Sequence, residues 1–449
     1  MAKFSRFNYK TVDELREKIA ELNLDIELTS DLSPLARRVK IGGYELPNSL
    51  AINPMEGCDG TEGGSPSDLT IRRYKRFAAG GAGLLWFEAT AVVPEGRANP
   101  RQLYINRDNV SAFKEMLDIA RQEGREAMGA GHRPLCILQL THSGRYSKPY
   151  GQPRPVIAFH DPYLDSRAGV SPEQAPITDE ELEQLQDSYV EAAILAREAG
   201  FNGVDIKACH HYLLSELLAG HTRTGKYGGD FHNRTRFLLE TITKVRARVG
   251  EDFIIAVRLN AYDAHPYPYG WGVDSQDFTR PDLTEPIRLV HLLKENGVAL
   301  VSISAGNPYY IRTEVTRPFD TPVRGAGLPD EHPLESVARL FNITRAIQEA
   351  EPELAVMGSG YSWLRQFFGQ AAAANIARGA VTLAGAGRLA FAYPDFARDL
   401  LTRGHLDERK VCIACSRCTQ IMRDGGRTGC VIRDAEVYLP IYKSVSNAS

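Results

Sequence analysis

The chain has 449 residues, 43% of them hydrophobic, and a formal net charge of −3. That is enough apolar material for one large core with a small appendage, or for two or three ordinary domains. The balanced charge and the lack of a basic stretch disfavour nucleic-acid binding, and no apolar run approaches membrane-spanning length.

The N-terminal MAKFSRFNYK lacks the apolar centre of a signal peptide, so a cytoplasmic protein in a reducing compartment is expected. Residues 11–22 read as a short amphipathic helix. Short apolar runs then alternate with longer helical patterns. Eight runs predict strands, at about 49–54, 82–88, 134–140, 202–208, 253–259, 298–304, 354–358 and 379–384. They are apolar on both faces, as in a buried parallel sheet. Thr178 and Glu181 form a capping-box pattern ahead of a helix that Gly200 closes. Residues 283–296, 334–350 and 362–376 also have helical length and period. The alternation predicts an α/β fold, a (β/α)8 TIM barrel with a further C-terminal segment. A doubly wound sheet competes, but it would usually carry a G-x-G-x-x-G turn, which is missing. The expected divisions are an N-terminal helical extension (1–32), the barrel (33–405) and a cysteine-bearing tail (406–449).

The tail holds Cys412, Cys415, Cys418 and Cys430, a C-x2-C-x2-C-x11-C pattern. Three thiolates within seven residues can wrap one corner of a [4Fe–4S] cubane, and a distant fourth closes it. Structural zinc more often uses two separated C-x2-C pairs or includes histidine, and buried thiols are the bland alternative. Cys58, Cys136 and Cys209 read as packing thiols.

In a barrel, chemistry sits on loops at the C-terminal strand ends. Those positions hold Met55; Glu88 and Ala89; Gln139 and His142; Lys207, His210 and Tyr212; Arg258; Ser304 to Gly306; Gly358 to Gly360; and Gly387 with Arg388. Glycine-rich loops after strands seven and eight can present backbone N–H groups to an anion, which implies a phosphate-bearing cofactor. Singly, Gly358–Gly360 is an ordinary turn, Arg258 half of an ion pair and Tyr212 a packing residue. Lys207 stands in a buried-strand pattern, where a lysine needs a partner or a function. His142 and Arg145 either brace their loop or serve the site. Tyr309, Tyr310 and Arg312 either line a pocket or anchor a loop.

These blocks, in order, resemble the old yellow enzyme family of FMN-dependent barrels. They are LPNSLAINPM (46–55), GGAGLLWFEATAV (80–92), QLTHSGRY (139–146), GVDIKACHHYLLSELL (203–218), TRTGKYGGDFHNRTRF (222–237), VRL (257–259), GSG (358–360) and AGAGR (384–388). With the cysteines, the chain is similar to the iron–sulfur branch that includes 2,4-dienoyl-CoA reductase, 2-enoate reductase and trimethylamine dehydrogenase. The resemblance implies FMN lined by Pro54, Met55 and Ala89, with Gln139 at the pyrimidine edge and Arg258 near N1. It implies phosphate binding by Gly358, Ser359, Gly360, Gly387 and Arg388, and cluster ligation by the four tail cysteines.

The family's H-x-x-H/N-x-Y stretch here reads Lys207, His210, Tyr212. By resemblance, His210 and Lys207 would hold a substrate carbonyl or carboxylate, and Tyr212 would protonate the α-carbon after flavin hydride reaches the β-carbon. Lys207 departs from the family histidine and puts the usual substrate preference in question. The usual Y-G-G-S-x-E-N-R also departs, as Tyr227 to Arg234, where Asp230 is expected to cap a helix. Larger relatives continue into flavin- and nicotinamide-binding domains, and the sequence to Ser449 carries no such stretch. The implied enzyme is an ene-reductase acting on a C=C bond conjugated to a carbonyl, carboxylate or thioester, in a homo-oligomer. Its donor would be NAD(P)H, a ferredoxin or a partner flavoprotein. The alternative is an oxidative dehydrogenase that passes electrons out through the cluster.

Overall fold

The computed structural model describes residues 3–310 and 317–446, which leaves Arg312 outside the described residues. An antiparallel hairpin, β1 (Val39–Ile41) and β2 (Tyr44–Leu46), precedes the main body. Eight parallel strands follow: β3 (Leu50–Ile52), β4 (Leu84–Ala91), β5 (Leu135–Thr141), β6 (Gly203–Ile206), β7 (Ile254–Tyr262), β8 (Leu300–Ala305), β9 (Ala355–Gly358) and β10 (Leu383–Ala386). They close in chain order, with β10 pairing β3, into the expected TIM barrel. No described helix is long and apolar enough to cross a membrane.

Two elements differ from the sequence reading. The eighth strand begins at Leu383 rather than near 379, because Gly379 (φ +71°) and Ala380 are consumed in closing the preceding helix: Ala380 N–H donates to Asn375 O at 2.9 Å. The helix expected over 362–376 is split into a 3₁₀ stretch, Tyr361–Phe367, and an α-helix, Phe368–Ala377. The break falls at Arg365 (φ +51°), whose guanidinium pairs with buried Asp320. Elsewhere local chemistry agrees with the fold. Thr178 and Glu181 make a reciprocal capping box on helix Asp179–Glu198, and Asp230 accepts from Asn233 N–H at the start of Phe231–Val249.

The two-residue period of a strand decides what lies inside the barrel. Leu84 and Trp86, Leu135 and Ile137, and Ile254 and Ala256 form one buried cluster with Leu300, Met357 and Leu383. Ile41 and Leu46 join it, so the β1–β2 hairpin plugs the N-terminal end of the barrel. Continuing β5, β6, β7 and β8 by two residues gives Gln139, Asp205, Arg258 and Ser302, a polar layer above the apolar ones. One step further, β6 gives Lys207. Gly203 has to be glycine here, because a Cβ would lie 2.3 Å from the Ile254 carbonyl oxygen.

The N-terminal segment packs on the outside of the barrel. Leu15 and Ile19 of helix Val12–Glu21 belong to the barrel's own core. Phe7 meets Trp363 edge-on at 5.2 Å, and Asp25 pairs with Arg345 and Arg378. The tail behaves alike at its start, with Val411, Cys412 and Ala414 in the same core, whereas Ile421, Val431 and Tyr438 form a small cluster of their own.

Leu15 has no exposed surface. Leu15→Ala is expected to cost about 2–5 kcal/mol, read as a lower urea midpoint at unchanged slope. A loss below 0.5 kcal/mol would show that the N-terminal helix is not integral to the cooperative unit.

Candidate active site

The C-terminal ends of the strands carry a cluster of cationic and phenolic groups. Asp205 organises its floor. This fully buried carboxylate accepts from Trp86 Nε1 at 3.0 Å, Gln139 Nε2 at 2.6 Å and the Arg258 backbone N–H at 2.7 Å. Burial pushes its pKa up to about 6 despite those donors. Because Asp205 takes the Gln139 amide donors, the Gln139 carbonyl is left as an acceptor. Arg258 Nε is buried and has no hydrogen-bond partner among the described residues.

Lys207, two residues past Asp205, is buried, with Nζ 3.5 Å from Glu56 Oε1 and 4.0 Å from the centroid of the Tyr212 ring. His210 and His211 both adopt left-handed backbone (φ +65° and +55°), and the strained turn sends them to different surroundings. His210 is partly exposed, and burial with the charges of Arg258, Lys207 and Arg317 holds its imidazole neutral. His211 is fully buried among carboxylates. Tyr212 precedes helix Leu213–Leu218, and its ring lies 6.2 Å from that of Tyr146. Tyr146 in turn stacks on Tyr309 at 3.4 Å, and the Tyr309 hydroxyl faces that of Tyr212. Burial, with Glu56 adding to it, raises the Tyr212 pKa well above the usual phenol range, so the hydroxyl stays protonated.

The glycine-bearing loops adjoin across the closure of the barrel. Gly360 is left-handed (φ +96°), and a Cβ on Gly387 would fall 3.2 Å from Met55 Sδ. Pro54 and Ala89 are buried beside them. Ser359 Oγ donates to Ile303 O at 3.2 Å, so its hydroxyl braces β8. Arg388 donates to Pro318 O at 2.6 Å and lines the same cavity as Cys412, Cys415, Cys418 and Cys430. Arg317 approaches both Arg388 and His210, and burial and Arg388 lower its pKa to about 10. Arg258, Arg317, Arg388 and Lys207 thus gather round one mouth with Glu56. An unpaired buried guanidinium and this excess of cations suit an anionic, phosphate-bearing group.

The four tail cysteines line one cavity. A single zinc with bonds of about 2.3 Å would hold its sulfurs about 3.8 Å apart. Among the described residues no three of these sulfurs lie within 4.8 Å of one another. Left-handed Ala414 and Ser416 shape the loop, and the N–H groups of Ala414 and Arg433 point at Cys412 Sγ (3.4 Å) and Cys430 Sγ (3.3 Å). The tail is fastened to the barrel by Thr428 N–H to Gly57 O (2.6 Å) and by Arg72 to Asp434 (2.8 Å).

Several expected mouth residues are occupied elsewhere. Glu88 is spent on Arg73 and the Gly57 N–H, in a buried network with Asp59 (2.5 Å from Arg73). The network braces the loop after β3. Arg145 pairs with Glu216 and Asp165 inside the protein. His142 Nδ1 accepts from Gly144 N–H at 3.0 Å, which fixes a turn. Cys58 accepts from Asn99 at 3.3 Å, and Tyr310 packs against His265 at 4.5 Å. The sequence reading missed Glu56, Tyr146 and Arg317. Glu56 follows Met55 directly, which was a usable signal; Arg317 lies in no strand and had none.

His142 is buried, and burial lowers its pKa to about 4. The unfolded chain therefore binds this proton first, and stability falls as pH drops from about 6.5 towards 4. His142→Asn keeps an acceptor for Gly144 and removes the titration. Its unfolding free energy should change less between pH 7 and pH 5, by about 2 kcal/mol, in urea titrations at both values. An unchanged pH slope would exclude His142 as a source of acid sensitivity.

Comparison with known proteins places this geometry. The family model for NADH:flavin oxidoreductase / NADH oxidase matches residues 34–278. An NADPH dehydrogenase of Geobacillus thermodenitrificans is 31% identical over 64% of this chain and 78% of its own length. An NADH oxidase of Thermoanaerobacter brockii is 29% identical over 60% of this chain, which spans 38% of that protein. A solved structure of 2-naphthoyl-CoA reductase with 2-naphthoyl-CoA matches 93% of this chain and 59% of its own, with a TM-score of 0.72 at 20% identity, a likeness of fold. The chain belongs to the NADH:flavin oxidoreductase / NADH oxidase family and is a flavin-dependent oxidoreductase on a TIM barrel.

Proposed function

We propose that the protein is an FMN- and [4Fe–4S]-dependent ene-reductase that reduces a C=C bond conjugated to a carbonyl, carboxylate or thioester. The observation that carries this reading is the convergence of Lys207, His210 and Tyr212 with Arg258 at one mouth, with Arg388 reaching from that mouth to the cysteine cavity. FMN, when bound, supplies hydride, and a [4Fe–4S] cluster supplies single-electron exchange with a donor.

The chain's own residues do the rest. Arg258, within β7, provides a fixed charge, and the Gln139 carbonyl an acceptor beside it. Gly358 to Gly360, Gly387 and Arg388 would hold the phosphate. His210, neutral, and Lys207 donate hydrogen bonds to the substrate oxygen, where negative charge develops. Tyr212 keeps its proton until the α-carbon needs it, and the Tyr309 hydroxyl facing it favours the protonated form. Cys412, Cys415, Cys418 and Cys430 would ligate the cluster, and the tail's bonds to the loop after β3 hold it against the mouth. NAD(P)H, a ferredoxin or a flavoprotein would supply electrons. An oxidative reading with a cationic amine substrate is weaker, because Lys207 Nζ already occupies the face of the Tyr212 ring at 4.0 Å.

Anaerobically purified protein should show flavin bands over a broad iron–sulfur shoulder, both bleached by NADH or NADPH. Iron and sulfide should be lost in Cys418→Ser with the flavin retained. Folded protein without either chromophore would reject the assignment. In stopped-flow half-reactions, Tyr212→Phe should slow substrate reduction about 10²–10⁴-fold and leave flavin reduction nearly unchanged. Equal slowing of both halves would remove Tyr212 as proton donor.

A further inference from the structure

Behind the turn that carries His210 and Tyr212 lies a second, closed cluster that the proposed reaction does not use. Asp161, His211 and His265 each have no exposed surface, and one ligand atom from each lies within 4.8 Å of the other two. Asp161 Oδ2 is 2.7 Å from His265 Nε2 and 3.9 Å from His211 Nε2. Glu216 Oε1 is also 3.9 Å from His211 Nε2. On the other edge of the same ring, His211 Nδ1 faces Asp263 Oδ2 at 3.6 Å.

Neither nitrogen of His211 has a hydrogen-bond partner among the described residues, and His265 Nδ1 also lacks one. The His211 nitrogens stand 3.6–3.9 Å from three carboxylates, beyond hydrogen-bond distance, which leaves room for a group between the imidazole and the acids. The charges point the same way. Asp161, Asp165, Glu216 and Asp263 gather here, and Arg145 is the arginine that pairs with two of them. Asp263 is placed to orient His211 from behind, the carboxylate–imidazole arrangement that commonly supports a metal ligand. Asp161 stands 2.7 Å from His265 and 3.9 Å from His211, and the third separation is within 4.8 Å, around the edge of about 3.3 Å expected for a tetrahedral ion with bonds near 2.0 Å.

We propose that Asp161, His211 and His265 bind one divalent metal ion. Two imidazoles with a carboxylate at this spacing suit zinc. The site is structural. Its ligands come from the loop after β5, the turn after β6 and the loop after β7, so the ion ties three mouth loops together. It holds His211 in its left-handed conformation and thereby sets the directions of His210 and Tyr212 on either side.

The test uses holoprotein from zinc-replete cells, with zinc, iron and flavin measured on the same sample. About one zinc per chain is expected, with nitrogen and oxygen neighbours at about 2.0–2.1 Å in X-ray absorption. Asp161→Asn and, separately, His265→Gln should lower zinc about tenfold or more with iron and flavin content retained. Background zinc in the wild type overturns the proposal, as does zinc with a sulfur shell near about 2.3 Å, which would place it on the tail cysteines. Full zinc retention in a folded variant overturns it too. The absorption measurement needs only wild-type protein, so it decides the matter even if both variants fail to fold.

Discussion

A carboxylate sealed inside a closed barrel must be met by donors or give up its charge, and Asp205 is in that position. Its answers come from three neighbouring strands: Trp86, Gln139 and the Arg258 backbone. Those bonds lock the top layer of the interior in register. They also settle which atoms of Gln139 and Arg258 stay free. Lys207 follows on the same face of the strand, and the strained turn beyond it delivers His210 and Tyr212. The mouth of the barrel is therefore built outward from one buried charge. The pleat repeats every two residues, so each step along a strand exchanges a core position for a functional one.

The tail serves this arrangement from the other side. Its cysteine loop does not stand apart as a separate body, because Cys412 and Ala414 sit in the barrel's core and Asp320 N–H donates to Ala414 O at 2.9 Å. Asp320 also receives Phe7 N–H (3.2 Å) and Trp363 Nε1 (2.7 Å) and pairs with Arg365. One buried acid thus joins the N-terminal segment, the helix after β9 and the cysteine loop. Arg388 makes the shorter link, between the glycine loops and the cysteine cavity. Any group exchanging electrons between cavity and mouth would do so across a rigid joint.

The mouth has two kinds of residue that composition cannot separate. His210 and His211 are neighbours of the same type, yet one meets cations at the opening and the other meets acids in the interior. Glu56, after β3, and Glu88, within β4, are the same residue type, yet Glu56 faces Lys207 and Glu88 is consumed by Arg73. Arg258 and Arg145 differ alike: one guanidinium keeps an unpaired nitrogen at the mouth, and the other is enclosed by Glu216 and Asp165. In each pair the distinction comes from residues far away in the chain.

What the sequence determined by itself was periodic and local. Apolar runs of strand length, alternating with capped helices, specified eight β/α units, since hydrophobic period and capping chemistry act over a few residues. The C-x2-C-x2-C run was equally legible, because residues that close in sequence lie on one loop, and the fold brings Cys430 to the same cavity. The tertiary structure decided the partners. Lys207 with Glu56, Arg388 with the cysteine cavity, and Asp161 with His211 and His265 meet only when strands and loops distant in sequence are brought round the same closed sheet. The Arg365 kink was decided the same way, by the pull of Asp320 on a helix that its own sequence would have continued. Charges act through space and periodicity acts along the chain, so the first had to wait for the fold that the second specified.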